Sequence, residues 1–148
     1  MPIPFDKLPA SPGASPGASL RVLFVDDQPD MRLMMRVMMQ RRCYEVETAA
    51  KARDALQIAP NFKPHVVISD IGMPEMNGLE MMRELRDNDQ MSPFKAVALS
   101  GYDTSDDIEM ARAAGFDKCF AKPIDPDYLF AQIEKLASTL CEIETRAE

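Results

Sequence analysis

The sequence predicts an α/β fold in which a five-stranded parallel sheet is doubly wound, with helices on both faces. Two observations support this class. Short apolar segments alternate with helix-forming segments along the 148 residues, which predicts parallel strands joined by helical crossovers. Several apolar segments are hydrophobic throughout, as expected of strands that are buried on both faces. Right-handed crossovers then restrict the topology to a doubly wound sheet.

The first half of the predicted domain contains two strands and two helices. Arg21–Val25 (RVLFV) is an apolar strand that two aspartates stop. Asp30–Arg42 is a helix, because its methionines recur with the spacing of one buried helix face: Met31, Met34, Met35, Met38 and Met39. We interpret this face as core packing rather than a copper site. Tyr44–Thr48 alternates like a strand, and Ala49–Ala59 is helical until Pro60 ends it.

The second half repeats the alternation. Apolar strands are predicted at His65–Ser69 (HVVIS) and Ala96–Leu99 (AVAL), each stopped by a polar residue, with the helix Gly78–Asp87 between them. The remaining elements are the helix Ser105–Ala114, which a glycine ends, the short strand Cys119–Ala121 and the amphipathic helix Pro126–Ile143. The result is five strands that alternate with five helices.

The predicted domain covers residues 20–143 and is flanked by two short segments. Residues 1–19 repeat Ser-Pro-Gly-Ala twice and are rich in proline. Such a composition cannot bury enough apolar surface to offset chain entropy, so we expect a flexible arm or linker. Residues 144–148 are predicted to be a C-terminal tail.

The composition excludes several function classes. Lys+Arg number 17 and Asp+Glu 24, so the formal net charge is −7, which argues against a nucleic-acid-binding surface. No apolar run approaches the roughly 18 residues that span a bilayer. Three widely spaced cysteines without a CxxC pair favour reduced thiols over a disulfide framework or a zinc site. We therefore expect a cytoplasmic protein that binds neither nucleic acid nor membrane.

Polar residues follow the predicted strands at the edge where doubly wound sheets bind ligands. Asp26 and Asp27 follow the first strand, Asp70 the third, Ser100 the fourth and Lys122 the fifth. Clustered aspartates repel one another unless a cation lies between them, and carboxylate oxygens suit Mg2+. Beside Mg2+, a hydroxyl and an ammonium, a carboxylate can accept a phosphoryl group. Asp70 is the predicted nucleophile, because it ends the middle strand and precedes a turn.

Four segments carry a resemblance to a known family. VLFVDD, VVISDIGMPEMNGLE, VALSGY and FAKP occur in this order, and their separations resemble those of the receiver domain of two-component response regulators. The resemblance covers essentially the whole predicted domain. It implies a flavodoxin-like (βα)5 fold with strand order 2-1-3-4-5, Mg2+ as the cofactor, and a phosphoprotein that acts in phosphorelay signal transduction.

The resemblance implies a role for each residue at the metal. Asp70 is the implied phosphoacceptor and a metal ligand. Asp27 is a direct Mg2+ ligand, and Asp26 acts mainly through a metal-bound water. The backbone carbonyl of Gly72 completes the protein's ligands.

Further residues are assigned to the phosphoryl group by the same resemblance. Ser100 would bond to this group, and Lys122 would pair with its charge. Gly101 and Tyr102 fill the positions beside the phosphoryl group that tune its hydrolysis.

The sequence departs from the family pattern at one position. The family usually has a tyrosine or phenylalanine three residues before the lysine, as a rotating switch side chain, and this chain has Cys119 there. Phe120 is adjacent, but strand alternation directs it to the opposite face of the sheet. We therefore expect a small core residue at the switch position, while the phosphorylation chemistry is complete.

The resemblance implies a signalling module rather than an enzyme that acts on an outside substrate. The module would take a phosphoryl group from a histidine kinase or histidine phosphotransfer protein and would catalyse only its own Mg2+-dependent phosphorylation and dephosphorylation. Its output would be contact with a downstream protein, as a monomer or as a phosphorylation-dependent dimer. Both a stand-alone receiver and the receiver part of a hybrid kinase fit the sequence.

Other interpretations stay open at this point. An aspartate-nucleophile phosphatase would show a DxD pattern after the first strand, which Asp26 and Asp27 do not form. A phosphate-independent, receiver-like interaction module would explain Cys119 but not the complete acidic set. The same aspartate pair could cap the following helix, and Asp70 could be a turn residue.

Overall fold

The computed structural model describes residues 20–73, 75–101 and 105–147, with the side chains of residues 106–140 in the last range. In these residues the strands are β1 (Arg21–Val25), β2 (Glu45–Ala49), β3 (Val66–Asp70), β4 (Lys95–Ser100) and β5 (Lys118–Ala121). The helices are α1 (Pro29–Arg41), α2 (Ala52–Phe62), α3 (Gly78–Asp87), α4 (Ser105–Ala114) and α5 (Pro126–Ala147). The predicted arm, residues 1–19, lies outside the described residues.

The strands form one sheet in the order β2-β1-β3-β4-β5. All neighbouring strands pair in parallel, so each of them ends at the same edge of the sheet. Side chains of α1 and α5 pack on one face, and those of α2, α3 and α4 pack on the other. The predicted fold class and strand order are confirmed.

Each face of the sheet carries its own apolar layer. Phe24 and Ile68 belong to the layer beneath α1 and α5, whereas their chain neighbours Leu23 and Val67 belong to the layer beneath α2, α3 and α4. All four side chains are fully buried, and burying one large apolar side chain contributes about 1.5–3 kcal/mol. Because both faces are buried, a register slip would be costly, and the strand ends are therefore held in place.

Helix α2 has the predicted length but lies three residues further along the chain. The prediction placed it at Ala49–Ala59, before Pro60, whereas the observed helix, Ala52–Phe62, contains the proline and Ala49 ends β2. A proline removes one N–H donor, while Phe62 beyond it packs on the core, and we attribute the later end of the helix to that burial. The helix ends at Lys63, whose φ of 52° is left-handed.

The predicted methionine face of α1 is only partly buried. Met35 and Met39 are in the core, and Met31 and Met38 are half-buried against it. Met34 was predicted to be buried, but it is 44% exposed. Successive residues are about 100° apart around a helix. The Met34 side chain therefore points away from the direction of the buried Met35 and Met39 side chains.

The last helix is longer than predicted. α5 continues to Ala147 rather than ending at Ile143, so most of the predicted tail is helical. Within the part of the chain that the structure describes, no helix is long and apolar enough to cross a bilayer.

Candidate functional site at the carboxyl edge

The carboxyl edge of the sheet collects the predicted polar residues. β3 lies between β1 and β4, and β5 follows β4, so the residues that end or follow these strands are neighbours. They are Asp26, Asp27, Asp70, Ser100 and Lys122. The convergence that the topology predicted is present.

Asp26 is the most deeply buried carboxylate at this edge, with no exposed surface. Its backbone N–H donates to the Ala49 carbonyl of β2 at 3.1 Å, which continues the sheet by one residue. The Gln28 backbone N–H donates to Oδ1 at 2.9 Å, and the Lys122 ammonium donates to Oδ2 at 3.0 Å. A buried carboxylate needs such partners, and Asp26 has one for each oxygen.

Asp70 faces the same ammonium from β3. The distance between Lys122 Nζ and Asp70 Oδ2 is 3.3 Å, and the Asp70 side chain is 13% exposed. The Gly72 backbone N–H donates to Oδ1 at 3.2 Å, which is the local bond of an Asx turn. The turn interpretation of Asp70 is therefore compatible with a role in the site, because its second oxygen meets Lys122.

Lys122 holds its charge between these two carboxylates. Burial alone would lower the pKa of its ammonium, but the hydrogen bond and charge of Asp26, with those of Asp70, outweigh burial and raise the pKa above its usual value. The Lys122 backbone N–H donates to the Ser100 carbonyl at 2.7 Å. This bond fixes the start of the loop after β5 to the end of β4.

The three aspartates form a cluster suited to a cation. Each offers one carboxylate oxygen, and these oxygens lie within 4.8 Å of one another. Asp26 is buried, Asp70 is half-buried and Asp27 is exposed, so the cluster opens to solvent on the Asp27 side. Hard oxygen ligands with an open side fit Mg2+, which retains several of its waters.

The predicted carbonyl position, Gly72, and one predicted tuning position, Gly101, lie just after the strands β3 and β4. Ser100 is 6% exposed at the end of β4, and Gly101 beyond it is exposed, with open space where a Cβ would stand. Gly72 is exposed beside Asp70. Tyr102 lies outside the described residues.

Comparison with known proteins agrees with this geometry. The family model of the response regulator receiver domain matches residues 22–134. The chain belongs to this family. It is a receiver domain of the kind found in two-component response regulators.

Individual relatives agree with the assignment to the receiver family. The 14.6 kDa protein in the sodA1 3′ region of Leptolyngbya boryana is 32% identical, over 80% of this chain and 90% of that protein. The transcriptional regulatory protein KdpE of Mycobacterium tuberculosis is 33% identical over 76% of this chain, which spans about half of that relative, 48%. The chemotaxis protein CheY4 of Vibrio cholerae has a similar structure, with a TM-score of 0.76, 32% identity, and coverage of 80% of this chain and 99% of that one.

Cys119, at the predicted switch position, has a half-buried thiol. Cys119 lies on β5 beside Ala98 of β4 and packs on the layer beneath α2, α3 and α4, whereas Phe120 packs on the opposite layer. The predicted opposition of these two side chains is confirmed. Cys119 also lines a cleft of about 140 Å³ between α4 and β5, with Ala111 and Phe116. It is not one of the acidic cluster's residues.

Sequence reasoning missed part of the support of Asp26. The Gln28 backbone N–H binds its carboxylate, and Arg32 Nη1 donates to its backbone carbonyl at 2.8 Å. A backbone amide carries no side-chain signal, and an arginine on a helix resembles a solvated residue. The alternative in which Asp26 or Asp27 caps α1 is wrong, because the N-cap is Gln28 and its side chain makes no cap bond.

Proposed function

We propose that this receiver accepts a phosphoryl group on Asp70 from a phosphohistidine of a partner kinase or phosphotransfer protein, and thereby controls contact with a downstream protein. The observation that carries this proposal is the Lys122 ammonium, which lies 3.0 Å from Asp26 and 3.3 Å from Asp70 at the open edge of the sheet. An acidic cluster that holds a fixed ammonium in contact with a partly exposed carboxylate is suited to phosphoryl transfer.

The transfer exchanges one bond at phosphorus for another. An Asp70 carboxylate oxygen forms the new P–O bond while the P–N bond to the donor imidazole breaks, and the imidazole nitrogen keeps that electron pair. Lys122 pairs with the negative oxygens of the arriving group, and the Ser100 hydroxyl hydrogen-bonds to one of them. Hydrolysis later breaks the P–O bond to Asp70 by attack of water at phosphorus.

Mg2+ is the cofactor in this proposal: Asp27, Asp70 and the Gly72 carbonyl would hold it directly, and Asp26 would act mainly through a metal-bound water. When bound, it supplies positive charge that offsets the phosphoryl oxygens. The chain's own contribution is orientation. Asp26 is immobilised by its two partners, and Asp27 stands at the solvent side, where it leaves the approach to Asp70 open.

Removal of one carboxylate should separate metal binding from folding. In Asp27→Asn we expect Mg2+ affinity to fall by about tenfold or more, because a ligand charge is lost. Without Mg2+ the variant should be more stable than the unmodified protein, because like-charge repulsion in the cluster is reduced. Urea unfolding with and without MgCl2 measures both effects, since a ligand that binds only the folded state adds stability.

The control for this experiment is Asp54→Asn, which makes the same change on α2. This variant should keep the Mg2+-dependent gain in stability. An equal Mg2+ response in Asp27→Asn would contradict the proposed metal site.

The outer face of α1 is the proposed contact for the phosphohistidine partner. Leu33 is 64% exposed, Met34 44% and Val37 40%, on a helix that begins at Pro29, just beyond the aspartate pair. Apolar side chains exposed this close to the site favour a protein contact there.

In this proposal the phosphoryl transfer takes place in the cytoplasm, and the protein does not act on other substrates.

A charge on this face should block the protein donor but not a small one. In Leu33→Glu we expect phosphoryl transfer from a phosphohistidine protein to slow by about tenfold or more, because a central apolar contact is lost. Labelling by acetyl phosphate should be unchanged. Met110→Glu, at a 51% exposed methionine on α4, is the matched control, and equal slowing in both variants would contradict the α1 assignment.

One observation favours a second candidate function. Cys119 stands where receivers usually have an aromatic switch, which fits a phosphate-independent interaction module. Incubation with Mg2+ and acetyl phosphate, followed by measurement of the intact mass, separates the two. A gain of one phosphate supports the phosphoacceptor, and no gain by the folded protein supports the module.

A further inference from the structure

Ser69 is a fully buried polar residue that the proposed chemistry does not use. Among the described residues, the buried polar or charged side chains are Asp26, Ser69 and Ser100. Two of these belong to the site at the carboxyl edge. Ser69 instead follows three buried apolar residues of β3 and directly precedes Asp70. Burying a hydroxyl is unfavourable unless it is hydrogen-bonded, so its partner indicates what it does.

The partner of Ser69 is the backbone of Asp70. The Ser69 hydroxyl donates to the Asp70 carbonyl oxygen at 2.9 Å. This bond acts on the main chain of the proposed phosphoacceptor rather than on its carboxylate. It therefore restrains the peptide from which the reactive side chain extends.

Gly78, the first residue of α3, lies close to the same carbonyl. A Cβ on Gly78 would stand 2.5 Å from the Asp70 carbonyl oxygen and 3.1 Å from both Ile71 Cα and Ser69 Oγ. The first two neighbours are backbone atoms, which cannot give way without moving β3 or α3. The Gly78 N–H also donates to the Ile71 carbonyl at 3.0 Å. Close backbone contact of this kind requires glycine.

The Asp70 side chain has limited support of its own. Its oxygens meet Lys122 at 3.3 Å and the Gly72 N–H at 3.2 Å, both longer than the usual 2.9 Å or so of a strong N–H···O bond. Asp26, in contrast, is held at 2.9 and 3.0 Å. The position of the Asp70 carboxylate therefore depends on its backbone.

We infer that Ser69 and Gly78 are positioning residues for phosphoryl transfer to Asp70. They restrain the Asp70 carbonyl where β3 meets α3, and so fix the distance of the carboxylate from Lys122 and from the aspartates that follow β1. This inference rests on the proposed function. A methyl group at residue 78 would displace the Asp70 peptide, and loss of the Ser69 hydroxyl would loosen it.

The test measures the rate of labelling at saturating Mg2+ and acetyl phosphate in the full chain. In Gly78→Ala we expect the rate to fall by about 10- to 100-fold, the cost of a misplaced reacting group. In Ser69→Ala we expect a fall of about three- to tenfold, since one hydrogen bond is lost. Ser69→Thr, which retains the hydroxyl, should recover part of that rate.

The matched control is Ala55→Gly, which exchanges the same residue types at a buried position of α2. It should lower the melting temperature without lowering the labelling rate of the folded protein. If Ser69 and Gly78 had a purely structural role, Ser69→Ala and Gly78→Ala would give this same result. If Gly78→Ala does not fold, Ser69→Ala decides, because it removes one oxygen only. Normal rates in the folded variants would overturn this inference and leave the proposed function intact. Absence of labelling in the unmodified protein would overturn both.

Discussion

Replacing Asp70 by asparagine should abolish phosphoryl uptake while leaving the fold intact. The amide retains the shape of the carboxylate but lacks an anionic oxygen to attack phosphorus, so labelling by acetyl phosphate should fall by at least about a hundredfold. Asp70 is half-buried at a strand end, and the replacement removes one negative charge from an acidic cluster. Stability should therefore be equal or slightly higher. Intact mass measures the labelling, and urea unfolding measures the stability.

Asp87→Asn is the matched control for this variant, because Asp87 is an exposed aspartate at the end of α3. It should accept phosphate like the unmodified protein. Stable labelling of Asp70→Asn would contradict the assignment of the phosphoacceptor. Loss of labelling in both variants would show that the assay responds to charge rather than to the site.

Replacing Arg86 by methionine should produce a large loss of stability. The guanidinium of Arg86 donates to the Gly115 carbonyl at 2.7 and 2.9 Å and to the Phe94 carbonyl at 2.9 Å. It also meets Asp117 Oδ2 at 3.1 Å and stacks 4.0 Å above the Phe94 ring. The methionine would remove this donor from the Gly115 and Phe94 carbonyls, whereas Asp117 Oδ2 would keep its bond from the Ala96 N–H at 2.8 Å. We expect the free energy of unfolding to fall by about 2–4 kcal/mol.

Two further variants interpret the Arg86 result. Arg86→Lys should recover only part of the loss, because an ammonium cannot present a planar fork to separate acceptors. Arg53→Met, at an exposed position of α2, should change stability by no more than about 0.5 kcal/mol. A loss below about 1 kcal/mol in Arg86→Met would show that the bonds of Arg86 are replaced by water.

The bounds of an element could be predicted where the sequence contains both a hydrophobic pattern and a local residue that ends the element. The bounds of β1, α3 and α4 match the prediction, because an aspartate pair, an asparagine cap and a glycine mark them. The end of α2 could not be predicted from the rule that a proline ends a helix, because the burial of Phe62 stabilises the helix beyond Pro60. The exposure of Met34 could not be predicted either, because the methionine spacing defines a broad helix face and does not show which of its residues are buried.

The side chains that form the candidate site could be predicted from the sequence, but the groups that hold them in place could not. Topology alone brings Asp26, Asp70 and Lys122 to one edge, because parallel strands end together. The residues that hold them act through the backbone, as the Gln28 amide does toward Asp26 and Ser69 toward Asp70. A polar residue within an apolar strand that is buried on both faces, one place before the predicted nucleophile, was the available signal for Ser69.

Chemical trapping of the phosphorylated residue tests the central claim most directly. The protein is incubated with Mg2+ and acetyl phosphate, reduced with borohydride, which converts an acyl phosphate into an alcohol, and mapped by peptide mass spectrometry. The account predicts homoserine at residue 70, dependent on Mg2+, with Asp26 and Asp27 unmodified. Reduction at another aspartate, or a phosphate gain that no acyl phosphate explains, would contradict it.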